Sequence, residues 1–573
     1  MKSKTLIALF TFVALIYISP LFASTITASH TTLTPPPSLQ PGWNSIQTQE
    51  LKQDVTYLAS DKLAGRLSLT KESNETIKWL VEQFKKAGLK PLTQQEYSLT
   101  QQLNPQIKKS DSQTQRSYLQ TVPLINFYPN TNKNYLELTR GQKKWTWKKP
   151  DTSIIFPNNF KLHGDVVFAG YGITANDLHY DDYANINVRG KIVLIFEHEP
   201  QETNPHSIFN GIANTVYATP FMKAFNAEQH GAIAVLILPE PNRRHPSNQD
   251  RFNRMAKALN PNLPSQALVD SKIKIPVVTI TNAVADQIAG NKISLSQLQA
   301  KIDQTLKPQS RLIPQDKITI NNENKSSFTA NSYNVVGLLE GSDPTLKHET
   351  VIISAHHDHD GKDGKRIWHG ADDNASGTTG VIALARAMII NAHAANGMKP
   401  KRSILFVLFT AEERGLLGSF YMADHPLRPI DSTVAMINFD MIGRNESASS
   451  QTKGLINTNL NTTNRLNLIG AHYSPDYNNV VRQENQYVGL DLDYRFDQDA
   501  ALNIFFRSDQ FPFVLKHVPS FWWFTGFHPD YHHITDTADK INYVKMAKII
   551  RLSYLTAFAF ANDKAAPQFI ENP

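Results

Sequence analysis

Val351-Ile352-Ile353-Ser354-Ala355 runs straight into His356-His357-Asp358-His359-Asp360, a near-continuous apolar segment that stops in a block of imidazoles and carboxylates. Three later segments repeat the arrangement. Ile404-Leu405-Phe406-Val407-Leu408-Phe409 leads to Thr410-Ala411-Glu412-Glu413, and Val434-Ala435-Met436-Ile437-Asn438-Phe439 leads to Asp440. Phe521-Trp522-Trp523-Phe524 leads through Thr525-Gly526-Phe527 to His528-Pro529-Asp530-Tyr531-His532. Apolar runs separated by stretches of helical period read as parallel strands buried on both faces. In open α/β sheets, ligands bind beyond the carboxyl ends of the strands. All four blocks therefore fall where such a site belongs. The expected fold is α/β, with a mixed, mostly parallel central sheet flanked by helices.

The residue types point to a metal. Imidazoles with several carboxylates and no thiolate suit Zn²⁺ in a catalytic rather than a structural setting. In His356-x-Asp358, period-two alternation puts both side chains on one face of the strand end. The carboxylate can there accept the imidazole N–H and fix its tautomer. Gly370-Ala371-Asp372-Asp373-Asn374-Ala375-Ser376-Gly377 is a tight loop opening onto the helical residues 381–388, and a carboxylate within it can bridge two cations. The adjacent Glu412 and Glu413 allow a division of labour, one on metal and one free to take a proton.

The rest of the chain sets bounds. With 573 residues, 41% of them hydrophobic, it can bury large cores, and the absence of Cys excludes disulfides, Cys-ligated zinc and thiol nucleophiles. Fifty-eight Lys+Arg against 51 Asp+Glu give +7, a mild bias over this length and no nucleic-acid footprint. Lys2 and Lys4, the apolar run from Leu6 to Ile18 and the small-residue site near Ala23 form a secretory signal over 1–23. At about 14 residues the run is short of the roughly 20 needed to cross a bilayer. Its removal would leave 7 − 2 = +5, since both lysines depart. The expectation is an exported protein, periplasmic or secreted, with no stable membrane insertion.

Residues 24–43 read as a Pro-rich, poorly ordered leader, and 47–88 as helical, from the spacing of Leu51, Val55 and Leu58 and of Ile77, Leu80, Val81 and Phe84. Lys143-Lys144-Trp145-Thr146-Trp147-Lys148-Lys149 fits a solvated β-hairpin. Residues 162–312 alternate short β-branched runs with helical stretches and are expected to form a smaller α/β insert, with no cluster of potential ligands. Asp165 to Ala175, with Gly170 and Gly172, nominally fits a dinucleotide fingerprint. No amphipathic helix follows it, so a nucleotide site is rejected.

Taken together, Ala355-His356-His357-Asp358-His359, the Gly370–Gly377 loop, Thr410-Ala411-Glu412-Glu413-Arg414-Gly415-Leu416-Leu417-Gly418-Ser419, Asn438-Phe439-Asp440-Met441-Ile442-Gly443 and Tyr531-His532-His533-Ile534-Thr535-Asp536-Thr537 resemble the di-zinc metallopeptidase family of bacterial leucyl aminopeptidases, glutamate carboxypeptidase and glutaminyl cyclase. The insert resembles the protease-associated domain found in that family, most closely at residues 165–173 and 188–194. The resemblance implies the zinc-exopeptidase (phosphorylase/hydrolase-like) fold, with a catalytic domain split into 44–161 and 313–573 around the 162–312 insert. It implies two Zn²⁺ per chain and peptide substrates. His356 and Asp440 would hold one zinc, Glu413 and His532 the other, and Asp373 would bridge them. Glu412 would be the general base and Asp358 the partner of the His356 imidazole. Tyr531 matches a position that in some relatives hydrogen-bonds the tetrahedral oxyanion. His357, His359 and His369 have no counterpart as ligands and read as rim or structural residues. Ser508-Asp509 with Pro512-Phe513 resembles a segment lining the substrate pocket.

The implied activity is exopeptidase hydrolysis, with aminopeptidase favoured over carboxypeptidase or dipeptidase. Behind these stand a single-zinc glutaminyl-peptide cyclase and a catalytically dead receptor-like protein. Arg444 and Arg507 are the basic residues placed to meet a free carboxylate. A serine hydrolase is excluded, for no Gly-x-Ser-x-Gly occurs.

Overall fold

The structure is a computed structural model, describing residues 33–92, 117–211, 213–256, 258–291, 293–458, 461–499, 502–563 and 565–570. The expected signal, 1–23, lies outside the described residues. Among those described, no helix is long and apolar enough to cross a membrane.

Two large sheets organise the chain. The first has nine strands, in the order Ser265–Leu268, Leu119–Pro129, Asn324–Leu339, Ser403–Phe409, Thr350–His356, Thr433–Phe439, Ser520–Phe524, Arg465–Ile469 and Asp491–Asp493. Its centre is the four apolar runs. Ser403–Phe409, Thr350–His356, Thr433–Phe439 and Ser520–Phe524 lie side by side, each parallel to its neighbours, and every residue in them is buried. Burial on both faces is why their side chains do not alternate in polarity. One face carries Thr48–Leu58, Lys71–Ala87, Gly377–His393 and Tyr543–Asn562, whose apolar residues join Val351, Ile353, Phe406 and Ile437 in the main core. Leu405, Val407, Ile352 and Met436 point the other way, against Met422 and Phe513. The helical reading of 47–88 thus holds, with a tight 3₁₀ segment Asp61–Arg66 between the two helices.

The second sheet has eight strands, in the order Lys143–Trp147, Tyr135–Arg140, Arg311–Asn322, Phe160–Phe168, Ile192–Phe196, Ala234–Leu238, Val277–Ile280 and Thr152–Ile154. Phe160–Phe168 through Val277–Ile280 are again parallel. Lys143–Trp147 pairs with Tyr135–Arg140 as the expected solvated hairpin. Residues 135–161, expected in the first part of the catalytic domain, place their strands in this second sheet instead. Leu136 and Leu138 on one strand and Ile318 and Ile320 on its partner fill one core. Conversely, Ser265–Leu268 leaves the insert to pair with Leu119–Pro129 at the edge of the first sheet. Period-two patterning marks strands but not the sheet they join.

Two further readings meet the structure here. Gly170 and Gly172 begin no helix, and the Tyr171 and Ile173 amides donate to the Asp182 carboxylate at 2.9 and 3.1 Å. A carboxylate of the chain itself thus takes the donors a phosphate would need. A Cβ on Gly170, at φ +53, would collide with Asp182 Oδ1. The leader differs from expectation. Residues 33–43 are ordered, with helical turns Pro37–Leu39 and Gln40–Ser45 packed on the helices Gly377–His393 and Tyr543–Asn562. The Tyr554 hydroxyl donates to the Leu39 carbonyl at 3.0 Å, and the Gly42 amide donates to Asn391 at 3.2 Å. Proline is tolerated in a first helical turn, so a Pro-rich stretch with Leu39 and Trp43 to bury can dock.

Candidate metal centre

At the carboxyl ends of the central strands the four polar blocks converge. His356 is the last residue of its strand, Asp440 directly follows its own, and Glu412 and Glu413 sit in a 3₁₀ turn three residues beyond Phe409. Asp373 comes from the Gly370–Gly377 loop, which the carboxylate of Asp536 holds by accepting the amides of Asp372 and Asp373 at 2.9 and 3.2 Å. From below, the buried Arg66 guanidinium donates to the carbonyls of His357, His369 and Gly370.

The geometry is that of two adjoining sets of ligands. His356 Nε2 lies 3.4 Å from Asp373 Oδ1, 3.5 Å from Asp440 Oδ1 and 3.8 Å from Glu412 Oε2. His532 Nε2 lies 3.4 Å from Asp373 Oδ2 and 3.5 Å from Glu413 Oε2. Asp373 therefore turns one oxygen toward each imidazole. These separations exceed a good hydrogen bond and match the edge of about 3.3 Å in a tetrahedron with metal–ligand bonds near 2.0–2.1 Å.

Both imidazoles are held so that Nε2 faces inward. His356 Nδ1 is 3.2 Å from the Asp358 carbonyl, and His532 Nδ1 is 2.6 Å from the Asp360 carboxylate. With those protons committed, the inward atoms are acceptors, a donor set that suits zinc. Burial pushes Glu412 well above the usual carboxylate range despite the opposing charge of His356. Burial likewise lifts Glu413 to about 7, against the pull of His532. Tyr531 packs edge-on against the His532 ring at 4.3 Å, and burial keeps its hydroxyl protonated.

All five expected metal ligands and the expected base are thus brought together. Asp358 differs from its expected role. Its carboxylate is 3.9 Å from His356 Nδ1 and accepts instead from the amides of Glu412 and Glu413 at 3.1 and 3.4 Å. The period-two rule gives the correct face. The neighbouring turn, 54 residues away, supplies closer donors. His357 bonds the Tyr333 carbonyl and His369 bonds Asp61, so both are structural or rim residues as expected. His528 sits on Asp372, away from the ligand set.

Three contributors escape or are undervalued by sequence reasoning. Asp360 anchors His532 while accepting from Arg414 at 2.6 Å. His359 Nδ1 lies 2.6 Å from Glu413 Oε1, and burial lowers its pKa to about 4. Ser508 donates to Asp440 Oδ2 at 2.5 Å. The period-two rule that selects Asp358 from His356 also selects Asp360. Its partner lies 172 residues on, beyond what spacing can show.

Arg444 donates through Nη2 to Asp530 at 2.9 Å and has Asp536 3.8 Å from Nη1, so carboxylates of the chain already face its charge. Arg507 lies over the Phe527 ring and lines a cleft with Gly415, Leu416 and Phe511 on one wall and Phe221, Arg251 and Phe252 of the insert on the other. The insert also reaches the site itself, where Asn260 donates to the Asp360 carbonyl at 2.9 Å.

The insert does hold a group of potential ligands, contrary to expectation. His198, Glu202 and His245 are brought together, and so are Glu197, His198 and Glu240. These residues come from two loops that follow neighbouring strands, where the polar residues after each apolar run mark the strand ends and tertiary placement pairs them.

A strand-end constellation of imidazoles around a shared carboxylate is a candidate metal site in an α/β protein. Residues 334–557 match the model of peptidase family M28 and residues 162–288 match the PA domain. The PA-domain match thus precedes the M28-peptidase match along the chain. It is 26% identical over 235 residues to aminopeptidase YwaD of Bacillus subtilis, covering 41% of this chain and 39% of that protein. It is also 26% identical over 253 residues to leucine aminopeptidase 2 of Arthroderma otae, covering 40% and 45%. The matches thus span less than half the length of these relatives. Among solved structures, an aminopeptidase from Aneurinibacillus sp. strain AM-1 aligns with a TM-score of 0.48 and 17% identity, covering 93% of this chain and 97% of that one.

Proposed function

We propose that this chain is an exported zinc-dependent aminopeptidase with two zinc ions per chain. Asp373 carries the reading, since its two carboxylate oxygens each stand 3.4 Å from a different inward-facing imidazole. His356 and Asp440 would hold one ion, Glu413 and His532 the other, with Asp373 shared. Zinc would supply Lewis-acid charge and bring the pKa of a bound water from about 15.7 toward roughly 7.

The chain's own groups do the rest. Glu412, buried and 3.8 Å from His356 Nε2, takes the proton of the attacking water and returns it to the departing amine. The group must hold the proton between the two transfers. The Tyr531 hydroxyl, kept protonated by burial, donates to the developing oxyanion. Asp358 fixes Glu412 and Glu413 through their amides. The insert walls the cleft and screens peptides by size.

Aminopeptidase is favoured by the acidic surroundings of the ligand set, which suit a free amine, by the engagement of Arg444 and by the names of the relatives. The position of Arg507 on the cleft wall supports carboxypeptidase or dipeptidase as the second reading. Zinc-loaded enzyme offered matched N-blocked and C-blocked peptides separates them. Cleavage of C-blocked and refusal of N-blocked peptides is expected, and the reverse pattern would sink the aminopeptidase reading. Export rests on the signal pattern at 1–23, and the N-terminus of protein recovered from outside the cytoplasm tests it.

A further inference from the structure

The eight-stranded sheet of the insert has its own strand-end cluster. Ile192–Phe196 and Ala234–Leu238 are adjacent and parallel, with Phe196 opposite Leu238. Two residues beyond that pair, His198 and Glu240 stand side by side, with Nδ1 and Oε1 2.9 Å apart. The loops leaving the two strands bring Glu202 and His245. Glu202 Oε1 is 4.0 Å from His198 Nδ1, and Glu202 Oε2 bonds His245 Nε2. His245 Nδ1 lies 3.0 Å from the Pro246 carbonyl, which turns Nε2 toward the carboxylate, as the supports of His356 and His532 do.

Burial here is severe. His198 is fully buried and Glu240 is 2% exposed, yet His198 Nε2, Glu240 Oε2 and Glu202 Oε1 make no hydrogen bond. Buried polar atoms without partners are costly, and Glu202 Oε1, which faces His198 Nδ1 at 4.0 Å, is open to a ligand. Glu197 contributes charge, but it already accepts the Asn248 amide at 3.1 Å. A cleft lined by Glu199, Glu202, Glu240, Asn242 and Arg243 opens the cluster to solvent.

We propose that His198, Glu202 and His245 form a binding site in the PA domain for one divalent transition-metal ion of the zinc class, with Glu240 beside His198, separate from the proposed catalytic pair. Two imidazoles with carboxylates favour such an ion over calcium or magnesium, which prefer all-oxygen ligands. The ligand atoms of His198, Glu202 and His245 already lie within 4.8 Å of one another. The ion would tie the loops after two strands together. His245 lies just ahead of the helix Asn248–Met255, whose Asn248, Arg251 and Phe252 line the interdomain cleft. The site would thereby fix one wall of the substrate cleft.

The test is zinc counting on the full chain, stripped with chelator, reloaded with Zn²⁺ alone and desalted. Wild type, His198→Ala, His245→Ala, Asp373→Asn and Asp373→Asn/His245→Ala are compared, with circular dichroism reporting the fold. His245, on a loop, provides the variant least prone to misfold if His198→Ala does not fold. The expected result is one zinc fewer per chain in each insert variant, whether or not Asp373 is intact. Zinc lost with Asp373→Asn alone reports on the catalytic pair, so failure there leaves the insert result readable. Equal zinc in wild type and folded His245→Ala would overturn the proposal.

Discussion

In the nine-stranded sheet, His356, Glu412 and Asp440 leave the ends of three adjacent parallel strands. In the eight-stranded sheet, His198 and Glu240 leave the ends of two. The same topology thus gathers imidazoles and carboxylates twice, and the surroundings separate the outcomes. Both catalytic-domain imidazoles have dedicated Nδ1 acceptors, and one carboxylate stands between their inward Nε2 atoms. A further carboxylate, Glu412, stays at the edge, where the proposed mechanism has it carry a proton. In the insert, His198 bonds a prospective ligand directly, Glu202 reaches toward both His198 and His245, and the basic groups nearby include Lys223, Arg243 and Arg251. Strand ends supply donors, and supporting contacts decide whether they support chemistry or only hold an ion.

The largest test of this contrast is metal removal. A strong chelator is expected to abolish peptide hydrolysis, measured by release of a chromogenic leaving group, and added zinc to restore it. Full activity after verified metal depletion would break the assignment of the nine-stranded site. Next comes the support of His532. Asp360→Asn is expected to weaken metal affinity about 10–100-fold, read by competition with a fluorescent chelator. An unchanged affinity would contradict the role given to Asp360 in holding His532.

Smaller effects probe the insert. Gly170→Ala places a Cβ against Asp182 at a positive φ and is expected to cost about 1–3 kcal/mol of stability, measured by urea denaturation. Burial pushes the Asp182 carboxyl up to about 7, above an unfolded value near 3.9. The folded chain then holds this proton more tightly than the unfolded chain. The associated stability is complete below about pH 3.9 and declines as pH rises to about 7. Asp182→Asn is expected to flatten that part of the melting profile, and an unchanged slope would contradict the assignment.

The four fully buried parallel strands are legible because burial on both faces leaves a near-continuous apolar run. The polar blocks ending those runs then mark the catalytic cluster. What escapes the sequence is contact across loops. Asp360 meets His532, His359 meets Glu413, and Asp358 turns from its strand neighbour to a distant turn, each pairing being set by tertiary placement. Residues 135–161 fall in the second sheet rather than the first for a related reason, because alternation carries no information about partners. The insert's cluster has a readable signal. Glu197-His198-Glu199 follows the apolar run Ile192–Phe196 just as His356 to Asp360 follows its own. The strand-end rule, applied to both modules, finds it.

Glu412 carries the central claim, and Glu412→Gln tests it most directly when zinc content and turnover are measured on the same preparation. Wild-type zinc with turnover reduced by about 10²–10⁴-fold or more is predicted for a general base outside the ligand set. Wild-type turnover in the zinc-replete variant would contradict the account.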